Sequence, residues 1–457
     1  MTLGEAIEMG CSLHRRGLLP EAEAVYRQIL SSKPEQPEAL HFLGVVVGQM
    51  GRHEEAAGLI LAALELDPGY IDALSNLGNV LRILGQHQEA EAAYRRAIEL
   101  KPDFADAHVN LAGLLFDQDR FEESLAECRR AIELSPGTSE SRVVAGRALA
   151  GQGKHAEAAE EYLRAIEQKE FRASVHENMA VSLLKLRRTD EATEMYRRWL
   201  RLDPDNPRPK HHLAGCTGVD VPSRAPDDYV LEVFNRFAST FDARLSALKY
   251  AAPDLVIAAL AAELGTPQSQ LDLLDAGCGT GLCGPGARPF ARRLAGVDLS
   301  PKMLDKARQR GVYDELHEAE LTEFLSRLPA AYDAILSADT LVYFGDLSAV
   351  IAAAANALRP QGRFVFTVEK SEACDAPRGF RLESHGRYSH SEDHVRGALE
   401  QSDFEVVQLR EVFLRMEGHE RVEGWLVVGR SIHNGVPMPA AEAPARSAGG
   451  PVPAGDF

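Results

Sequence analysis

A glycine-rich loop is the place in this sequence where residue types and spacing most clearly indicate chemistry. Residues 271–275, Leu-Asp-Leu-Leu-Asp, predict a short apolar strand, and Ala-Gly-Cys-Gly-Thr-Gly follows at 276–281, ahead of a helical pattern. A strand, a glycine turn and a helix in this order place backbone N–H groups and a helix N-terminus beside a ligand. Glycines also let that ligand approach the backbone closely. The segment therefore predicts a nucleotide-like binding site.

Two carboxylates and one leucine indicate which ligand the loop suits. Asp275 ends the predicted strand, where a negative charge would oppose a pyrophosphate but suit a cationic amino acid. Leu282 stands where a dinucleotide-binding loop requires Gly or Ala. A second predicted strand, residues 294–297, ends in Asp298, whose carboxylate can accept both hydroxyls of a ribose. Helix capping by the two aspartates is the less favoured alternative.

The sequence around these residues resembles the class I S-adenosylmethionine (SAM)-dependent methyltransferases, through DAGCGTG (275–281) and GVDLSPKML (296–304). The resemblance covers roughly residues 228–430. The sequence is similar in particular to bacterial predicted methyltransferases with an N-terminal tetratricopeptide repeat (TPR) region. The further segments that carry it are FASTFDARL (237–245), RGVYDELHEAEL (310–321), GRYSHSEDHV (386–395) and VEGWLVV (422–428). It implies SAM as the cofactor and S-adenosyl-L-homocysteine as its product.

The resemblance also implies a set of cofactor-binding residues. The glycines would approach the methionine and ribose parts of SAM, Asp275 would assist near the amino group, and Asp298 would hold the ribose hydroxyls. Glu320 stands where an acidic residue, more usually Asp, accepts from the adenine amino group, and Leu321 supplies a backbone N–H there. Met303 has two equal interpretations, adenine contact and core packing. The full set is Asp275, Gly277, Cys278, Gly279, Gly281, Asp298, Leu299, Met303, Glu320 and Leu321.

Candidate acceptor residues follow the fourth and fifth predicted strands. Asp339 and Tyr343 come after residues 335–337, a position that opens onto the crevice beside the first strand. Asp339 could orient or deprotonate an acceptor, or only cap the next segment, and Tyr343 could shape the acceptor pocket. Tyr388 and His390 are weaker candidates for substrate contact. No metal site is predicted here.

Aromatic residues before the first strand suggest a lid over the cofactor. Phe234, Phe237, Phe241 and Tyr250 could place aromatic faces against a sulfonium cation. The three phenylalanines have helical spacing, so core packing is the safer interpretation for at least two of them.

A 34-residue period organises the first half of the chain. Prolines, small residues and aromatic or apolar residues each recur in this register. The proline series is Pro34, Pro68, Pro102, Pro136 and Pro204, and the first small series is Gly10, Gly44, Gly78, Ala112, Gly146 and Ala180. The aromatic or apolar series is Tyr26, Ile60, Tyr94, Cys128, Tyr162 and Tyr196. Small residues allow close helix approach, and the aromatic residues are expected to fill gaps between neighbouring repeats. The pattern matches the TPR motif and predicts six repeats over residues 3–204.

A TPR array presents a concave groove that usually holds a peptide. Asn76, Asn110 and Asn178 share one repeat position on the predicted inner side, although Phe42 and Val144 interrupt the ladder. Their amides could bind the main chain of a peptide, or they could be solvated residues that support helix packing. The two interpretations are about equally supported.

The predicted fold is multidomain: an all-α TPR solenoid followed by an α/β Rossmann-like class I methyltransferase domain with a seven-stranded, mostly parallel sheet. The predicted boundaries are residues 1–206 for the solenoid, 207–227 for a cap and linker, 228–432 for the methyltransferase domain and 433–457 for a disordered tail. Residues 404–407 and 425–428 are expected to form an antiparallel hairpin at one edge.

Charge and cysteine content limit the classes of partner and compartment. The 50 Lys and Arg residues against 68 Asp and Glu residues give a net charge of −18, which disfavours general binding to nucleic acid or to a membrane. The six cysteines are scattered, the N-terminus lacks a signal-peptide pattern, and no apolar run is long enough to span a bilayer. A cytoplasmic location is expected.

Three functions are compatible with this organisation. The leading hypothesis is a SAM-dependent methyltransferase whose acceptor is a peptide or protein selected by the TPR groove. The second is a methyltransferase for a small carboxylate, hydroxyl or amine compound, docked or made oligomeric through its TPRs. The third is a TPR adaptor or assembly factor whose domain binds SAM without transferring the methyl group, since a binding site does not establish catalysis.

Overall fold

The computed structural model describes residues 2–168, 173–238, 240–372, 376, 378–418 and 420–432. The chain divides into two compact units between Pro204 and Asp205, at the end of the last predicted repeat. The predicted tail, residues 433–457, lies outside the described residues.

The first unit is built from helix pairs, as the 34-residue period predicts. Across its described residues it contains twelve helices, and equivalent helices begin 34 residues apart. The first helices of the pairs are α1 (Leu3–Arg15), α3 (Pro37–Gln49), α5 (Ile71–Ile83), α7 (Ala105–Asp117), α9 (Ser139–Gly151) and α11 (Ala173–Lys185). The second helices are α2 (Leu19–Ser32), α4 (His53–Leu66), α6 (His87–Leu100), α8 (Phe121–Leu134), α10 (His155–Glu167) and α12 (Thr189–Leu202). The predicted all-α solenoid fold is confirmed.

Small residues in the first helix of a pair face a large residue in the second. A Cβ atom added to Gly78 in α5 would lie 2.4 Å from a ring carbon of Tyr94 in α6, and both residues are buried. The same relation joins Gly10 to Tyr26 and Gly146 to Tyr162. The large residue therefore fills the space between the two helices of one repeat. The expected contact with a neighbouring repeat is also present at Tyr26, whose ring stacks on that of Phe42 in α3 with 5.9 Å between the centroids.

Gly78→Ala is expected to destabilise the first unit by about 1–3 kcal/mol, the usual cost of overpacking a filled core. The added methyl group would force the Tyr94 ring out of its position. Urea unfolding of the full chain, followed by circular dichroism at the helix band, measures the change.

Gly58→Ala is the matched control, because Gly58 is exposed within α4 and an added Cβ meets nothing within 4 Å. Its higher helix propensity should stabilise the unit by roughly 0.5–1 kcal/mol. Equal stability of the two variants would contradict the packing described here.

The second unit is an α/β fold with nine strands among its described residues. The helices that precede the sheet are α13 (Pro207–Thr217), α14 (Asp227–Phe237), α15 (Phe241–Ala247) and α16 (Ala252–Leu264). The strands are β1 (Leu271–Ala276), β2 (Ala291–Asp298), β3 (Glu315–Glu318), β4 (Tyr332–Ser337), β5 (Leu358–Lys370), β6 (Phe380–Leu382), β7 (Tyr388–His390), β8 (Phe404–Glu417) and β9 (Glu420–Ser431). The remaining helices are α17 (Gly284–Ala287), α18 (Pro301–Arg310), α19 (Leu321–Ser326), α20 (Ser348–Ala357) and α21 (Glu392–Glu400).

The main sheet has the order β3-β2-β1-β4-β5-β9-β8. β3, β2, β1, β4 and β5 are parallel, whereas β9 is antiparallel to β5 and β8 is antiparallel to β9. The predicted seven-stranded, mostly parallel sheet with an antiparallel hairpin is therefore present. The short strands β6 and β7 extend it, with β7 parallel to the end of β5.

The central strands are apolar on both sides because helices cover both faces of the sheet. Leu274 and Ile335 belong to a buried cluster that includes α20 and α21, whereas Leu273 and Leu336 belong to a second cluster that includes α16. Successive side chains of a strand point to opposite faces, which explains the continuous apolar run in β1. The carboxyl ends of β1, β2 and β4 therefore lie side by side at one edge.

The segment predicted as a cap and linker belongs structurally to the second unit. Helix α13 packs against α14 and β6, all within that unit. Ala225 donates its N–H to the carbonyl oxygen of Tyr343 at 2.7 Å, and Ser223 accepts from Gly345 and Asp346, each at 2.8 Å. These bonds fasten the segment to the residues that follow β4. The stretch predicted as a linker is thus hydrogen-bonded to the rest of the second unit.

Within the described residues, no single helix has the length and apolar character needed to cross a bilayer. The bent pair formed by α15 and α16 reaches that length and composition only when its two helices are taken together.

Candidate functional site

A cavity of about 260 Å³ lies at the carboxyl ends of the central strands. Its walls come from the glycine loop after β1, the end of β2, the segment after β4, and the helices α14 and α15. Of the predicted cofactor residues, those that line it are Asp275, Gly277, Cys278, Gly279, Asp298, Leu299, Glu320 and Leu321. Of the predicted acceptor residues, Asp339 and Tyr343 line it. One cavity therefore holds both groups of candidates.

Gly277 permits the closest contact in the site. Its φ of 75° lies in the left-handed region, and an added Cβ atom would lie 2.1 Å from the Thr340 hydroxyl oxygen. The Thr340 hydroxyl donates to the carbonyl oxygen of Gly277 at 3.1 Å. Any side chain at position 277 would separate the glycine loop from the segment after β4. Glycine is therefore required at this position by both backbone conformation and space.

Asp298 has the geometry expected of a ribose-binding carboxylate. One carboxylate oxygen accepts the N–H of Gly279 at 2.9 Å, and the other accepts the N–H of Ser300 at 2.8 Å. Burial raises the pKa of Asp298, although these N–H donors oppose the shift. Helix α18 is capped by the Ser300 hydroxyl, which accepts from the N–H of Met303. Because capping is done by Ser300, Asp298 keeps a lone pair on each oxygen for hydroxyl donors in the cavity.

Asp275 is a buried carboxyl group that the Tyr313 hydroxyl holds in place. The hydroxyl donates to Asp275 at 2.6 Å from the segment that precedes β3. Burial raises the pKa of Asp275 to about 7, although the bond from Tyr313 lowers it and the charge of Asp298 raises it further. A cationic group in the cavity would favour the charged form. Sequence reasoning missed Tyr313, because nothing in its local pattern indicates that it meets a residue in β1.

Asp275→Asn is expected to raise the stability of the ligand-free protein at pH 8 by about 1–3 kcal/mol, because a buried charge is removed. The folded-state pKa of Asp275 is raised, so its ionisation costs stability fully above pH 7 and progressively less as the pH falls toward the ordinary value. The gain in stability of Asp275→Asn over wild type should therefore decrease as the pH falls from 8 to 5. Thermal melts across this range measure it, and an advantage that grows toward pH 5 would contradict the assignment.

Glu320 carries an uncommitted carboxylate oxygen at the cavity. Its Oε2 accepts the N–H of Glu323 at 2.8 Å and caps α19. Its Oε1 is buried without a hydrogen-bond donor, with the Arg224 guanidinium 3.7 Å away. A buried acceptor that lacks a donor fits a ligand amino group, as predicted for the adenine amine. The substitution of Glu for the more usual Asp therefore leaves this contact available.

Two predicted cofactor residues lie elsewhere. Met303 is fully buried and does not line the cavity, so its side chain is part of the core, the second of its two interpretations. Gly281 also lies behind the cavity wall, where an added Cβ would meet the Tyr313 ring at 2.8 Å. Its role is therefore to let Tyr313 approach Asp275.

Aromatic residues of α14 and α15 cover part of the cavity. Phe234, Phe241 and Tyr250 line it, whereas Phe237 lies against the Arg244 guanidinium at 4.7 Å and does not. Three of the four aromatic residues predicted to form a lid therefore line the cavity, and Phe237 does not.

Two polar contacts fasten this cover to the cofactor-binding loops. Asn235 in α14 accepts from the Ser300 hydroxyl at 2.8 Å. Asp242 in α15 accepts from the Thr280 hydroxyl at 2.5 Å and is paired with Arg310. The cover is thus joined both to the glycine loop and to the loop after β2.

Asp242→Ala is expected to increase the dissociation rate of a ligand in the cavity by about 10-fold, because losing a charge-assisted contact weakens closure by about 1.4 kcal/mol. Stopped-flow displacement of a bound SAM analogue measures the rate. Asp305→Ala is the control, because Asp305 pairs only with Arg308 on the exposed side of α18. An unchanged rate in the Asp242 variant would show that the cover does not control release.

Asp339 is held in a strained backbone conformation by a charged network. Its φ is 54°, and its carboxylate accepts from Arg415 at 2.6 Å and from the Thr367 hydroxyl at 3.1 Å. Burial raises the pKa of Asp339, and the charge of Arg415 opposes this effect. Arg415 also pairs with Glu369 and, at 3.0 Å, with Glu417. Each oxygen of Asp339 therefore already accepts one bond from a protein donor.

Arg387 is a second cation at the same end of the cavity, and sequence reasoning missed both arginines. Its Nε donates to Glu369 at 2.5 Å, and one terminal nitrogen pairs with Glu417. Burial alone would raise the pKa of Glu369, but Arg387 and Arg415 hold it at about 2. Because the Glu369 carboxylate is nine-tenths or more buried, it depends on this pairing.

Helix α13 supports the loop that carries Arg387. The ring nitrogens of His211 and His212 lie 2.9 Å and 3.0 Å from the carbonyl oxygens of Gly386 and Ser384. Burial lowers the pKa of His212 to about 4, so this ring donates as a neutral imidazole. The helix predicted as a solenoid cap therefore positions an arginine of the cavity.

Tyr388 and His390 do not reach the cavity. The Tyr388 hydroxyl donates to the carbonyl oxygen of Pro222 at 2.9 Å, and His390 bonds the carbonyl oxygen of Phe344 at 2.8 Å. Both side chains are fully buried. The prediction of substrate contact is therefore wrong for these residues, since both are committed to holding the backbone around β7. Among the described residues, no group of three His, Cys, Asp or Glu side chains has an arrangement that could hold a metal ion.

Solved helical-repeat proteins are similar to part of this chain. They include MamA (24% identity, TM-score 0.33, covering 37% of this chain and 96% of MamA). They also include pilF of Pseudomonas aeruginosa (18% identity, TM-score 0.41, covering 46% of this chain and 96% of pilF). These TM-scores are too low to support an argument about function.

Curated relatives include three named methyltransferases. Human methyltransferase-like protein 27 is 36% identical over 108 residues, which are 23% of this chain and 44% of that protein. The ubiquinone biosynthesis O-methyltransferase of Xylella fastidiosa (strain 9a5c) is 30% identical over 112 residues, which are 23% of this chain and 46% of that protein. The malonyl-[acyl-carrier protein] O-methyltransferase of Serratia marcescens is 32% identical over 139 residues, which are 30% of this chain and 51% of that protein. The chain thus spans about half the length of the curated relatives it matches.

Family models match both units separately. A model described as methyltransferase domain matches residues 245–409, which contain the glycine loop, Asp298 and Asp339. Models described as tetratricopeptide repeat match residues 35–103, 75–138 and 143–207. One part of the chain therefore matches tetratricopeptide repeats, and a second part matches a methyltransferase domain.

Proposed function

We propose that this protein is a SAM-dependent methyltransferase whose acceptor belongs to, or is delivered by, a protein bound to the TPR unit. The observation that carries the proposal is one cavity that is lined both by Asp275, Asp298 and Glu320 and by Asp339 and Tyr343. The first group fits a cationic amino acid, a ribose and an amino-bearing base. The second group lies where an acceptor would meet the methyl group.

When bound, SAM supplies a methyl group already activated on a sulfonium. What the chain contributes is therefore mainly placement, which can lower a barrier by about 7–11 kcal/mol in favourable cases. Asp298 and the glycine loop would hold the ribose and methionine parts, and Asp275 would favour the ammonium group by its charge. The aromatic cover of Phe234, Phe241 and Tyr250 would exclude water from the reacting atoms.

Asp339 is proposed to organise the acceptor end rather than to remove a proton. Its oxygens accept from Arg415 and Thr367, and the charge of Arg415 favours the ionised carboxylate, which opposes transfer of a proton from an acceptor to Asp339. A nucleophile whose attacking atom is already deprotonated at pH 7 needs no base. Of the two roles predicted for Asp339, orientation is thus the better supported.

The TPR unit is proposed to bind an extended peptide through its asparagine ladder. The amide nitrogens of Asn76 and Asn110 lie 2.9 Å from a His41 nitrogen and 3.1 Å from the Ser75 hydroxyl oxygen, in the preceding repeat. Among the described residues, their amide oxygens make no hydrogen bond, and both side chains are half-buried. These oxygens, with Asn178 further along, could accept backbone N–H groups of a peptide.

A small-molecule acceptor is the second candidate. The names of two relatives specify O-methylation, in ubiquinone biosynthesis and of a malonyl group on a carrier protein. In this alternative the TPR unit would dock the enzyme or make it oligomeric. An adaptor that binds SAM without transfer is the third candidate, and a catalytic assay separates it from the other two.

Calorimetric titration of SAM tests the proposal before any acceptor is known. Wild type is expected to bind SAM with a dissociation constant on the order of micromolar, within the usual range for enzyme ligands. Asp298→Ala should weaken binding by at least about 10-fold, because it removes charge-assisted bonds to the ribose and leaves the Gly279 and Ser300 N–H groups without an acceptor.

Asp305→Ala serves here again as the control and should bind SAM as wild type does. Failure of wild type to bind SAM would exclude the methyltransferase function. If the Asp298 variant binds SAM with wild-type affinity, the ribose does not contact Asp298 at the end of β2.

A further inference from the structure

Uncommitted hydrogen-bond donors are concentrated at the acceptor end of the cavity. Tyr250 and Tyr343 line the cavity, and the hydroxyl of neither makes a hydrogen bond among the described residues. Arg387 also lines it and uses Nε and one terminal nitrogen for Glu369 and Glu417, which leaves the other terminal nitrogen without an acceptor in the same part of the structure. These groups can each donate a hydrogen bond to an oxygen atom of a ligand.

The carboxylates in this region are mostly used. Arg415 contacts Asp339, Glu369 and Glu417, and Arg387 contacts the last two. Asp339 and Glu417 line the cavity beside both arginines, and each of the three carboxylates is already bonded to an arginine. Among the described residues, a terminal nitrogen of Arg387 is therefore a charged donor that remains for a ligand.

Shared position in the cavity and free donors indicate which ligand group this region suits. Tyr343 and Arg387 line the same cavity, and the charges of Arg387 and Arg415 oppose the rise in the Tyr343 pKa that burial causes, whereas those of Glu369 and Asp339 add to it. Two arginines face three carboxylates here, so the free hydrogen-bond donors, and not the net charge, select the ligand group. A carboxylate would accept from Arg387 and Tyr343 together, with charge-assisted bonds to the arginine.

We propose that the methyl acceptor is a carboxylate, held at one oxygen by Arg387 and Tyr343 while its other oxygen attacks the methyl group. This inference rests on the proposed SAM-dependent function. A new carbon–oxygen bond forms, the methyl–sulfur bond breaks, and its electron pair stays on sulfur, which leaves as the neutral thioether. The product is a neutral methyl ester.

The charges around the acceptor agree with a step in which no proton is removed. A carboxylate is ionised at neutral pH, so no proton has to be removed, and Asp339 can remain paired with Arg415. The ester has lost the charge that Arg387 bound, so the product is held less tightly than the acceptor. The site thereby favours the reacting anion over the finished ester.

Benzoate, benzyl alcohol and benzylamine are matched probes for this site, because they carry an anion, a neutral hydroxyl and a cation on the same ring. Each is titrated into the full chain saturated with S-adenosyl-L-homocysteine. Benzoate is expected to bind at least about 10-fold more tightly than the other two. Tighter binding of benzylamine or benzyl alcohol, or no binding of benzoate, would overturn the proposal.

Variants at Arg387 show whether this residue is responsible. Arg387→Ala should lose benzoate binding, Arg387→Lys should retain part of it, and both should bind SAM with wild-type affinity if they are folded. Tyr343→Phe should weaken benzoate binding by about 3-fold to 10-fold, because it removes one hydrogen bond. Arg421→Ala is the control, because Arg421 is exposed on β9 and pairs with Glu423. Benzoate binding that survives Arg387→Ala would overturn the assignment.

A transfer assay on cell extract with methyl-labelled SAM identifies the source of the carboxylate. Label released as methanol by mild alkali indicates an ester, and its presence in the polypeptide or the small-molecule fraction distinguishes a protein acceptor from a free acid. Label that is stable to alkali would overturn the proposal. If the chain does not bind SAM at all, the proposed function fails first; if it binds SAM but not benzoate, only the carboxylate inference fails.

Discussion

The Thr340 hydroxyl and the carbonyl oxygen of Gly277 are joined by a 3.1 Å hydrogen bond across the carboxyl ends of two neighbouring parallel strands. This contact exists only because position 277 has no side chain, and it sets the distance between the cofactor loop and the segment after β4. Asp339 lies one residue before Thr340 and takes a left-handed backbone conformation there. The predicted cofactor and acceptor residues therefore line one cavity as a direct result of backbone packing.

Paired charges give the acceptor end its chemical character. Buried carboxylates are costly unless cations accompany them, and Arg415 and Arg387 together pair with Asp339, Glu369 and Glu417. Because each of these carboxylates is bonded to an arginine, the groups that remain for a ligand include a set of donors. A site of this kind suits a reaction in which the nucleophile arrives already ionised, and it gives little support to proton removal by Asp339.

The boundary between the two units has a structural role that its composition does not indicate. Proline-rich residues after the last repeat suggest a connector, yet α13 holds the backbone at Ser384 and Gly386, next to Arg387, and Ser223 and Ala225 bond to the residues after β4. The polar groups of this segment are satisfied by backbone partners more than a hundred residues away in sequence. Support for the acceptor end therefore begins immediately after the repeats.

Local patterns were sufficient for the repeats, the glycine loop, Asp298 and the order of helices and strands, because each depends on residues close together in sequence. The helix starts follow the 34-residue period, and the predicted edge hairpin is formed by β8 and β9. Tyr313, Arg387 and Arg415 could not be found in this way, because they meet Asp275, Glu369 and Asp339 across 38, 18 and 76 residues. Such pairs form only after the sheet order has placed distant strand ends together, where burial makes each charge require a partner. For the same reason Met303, Tyr388 and His390 were ambiguous in sequence, and only tertiary packing decided that their side chains lie in the core.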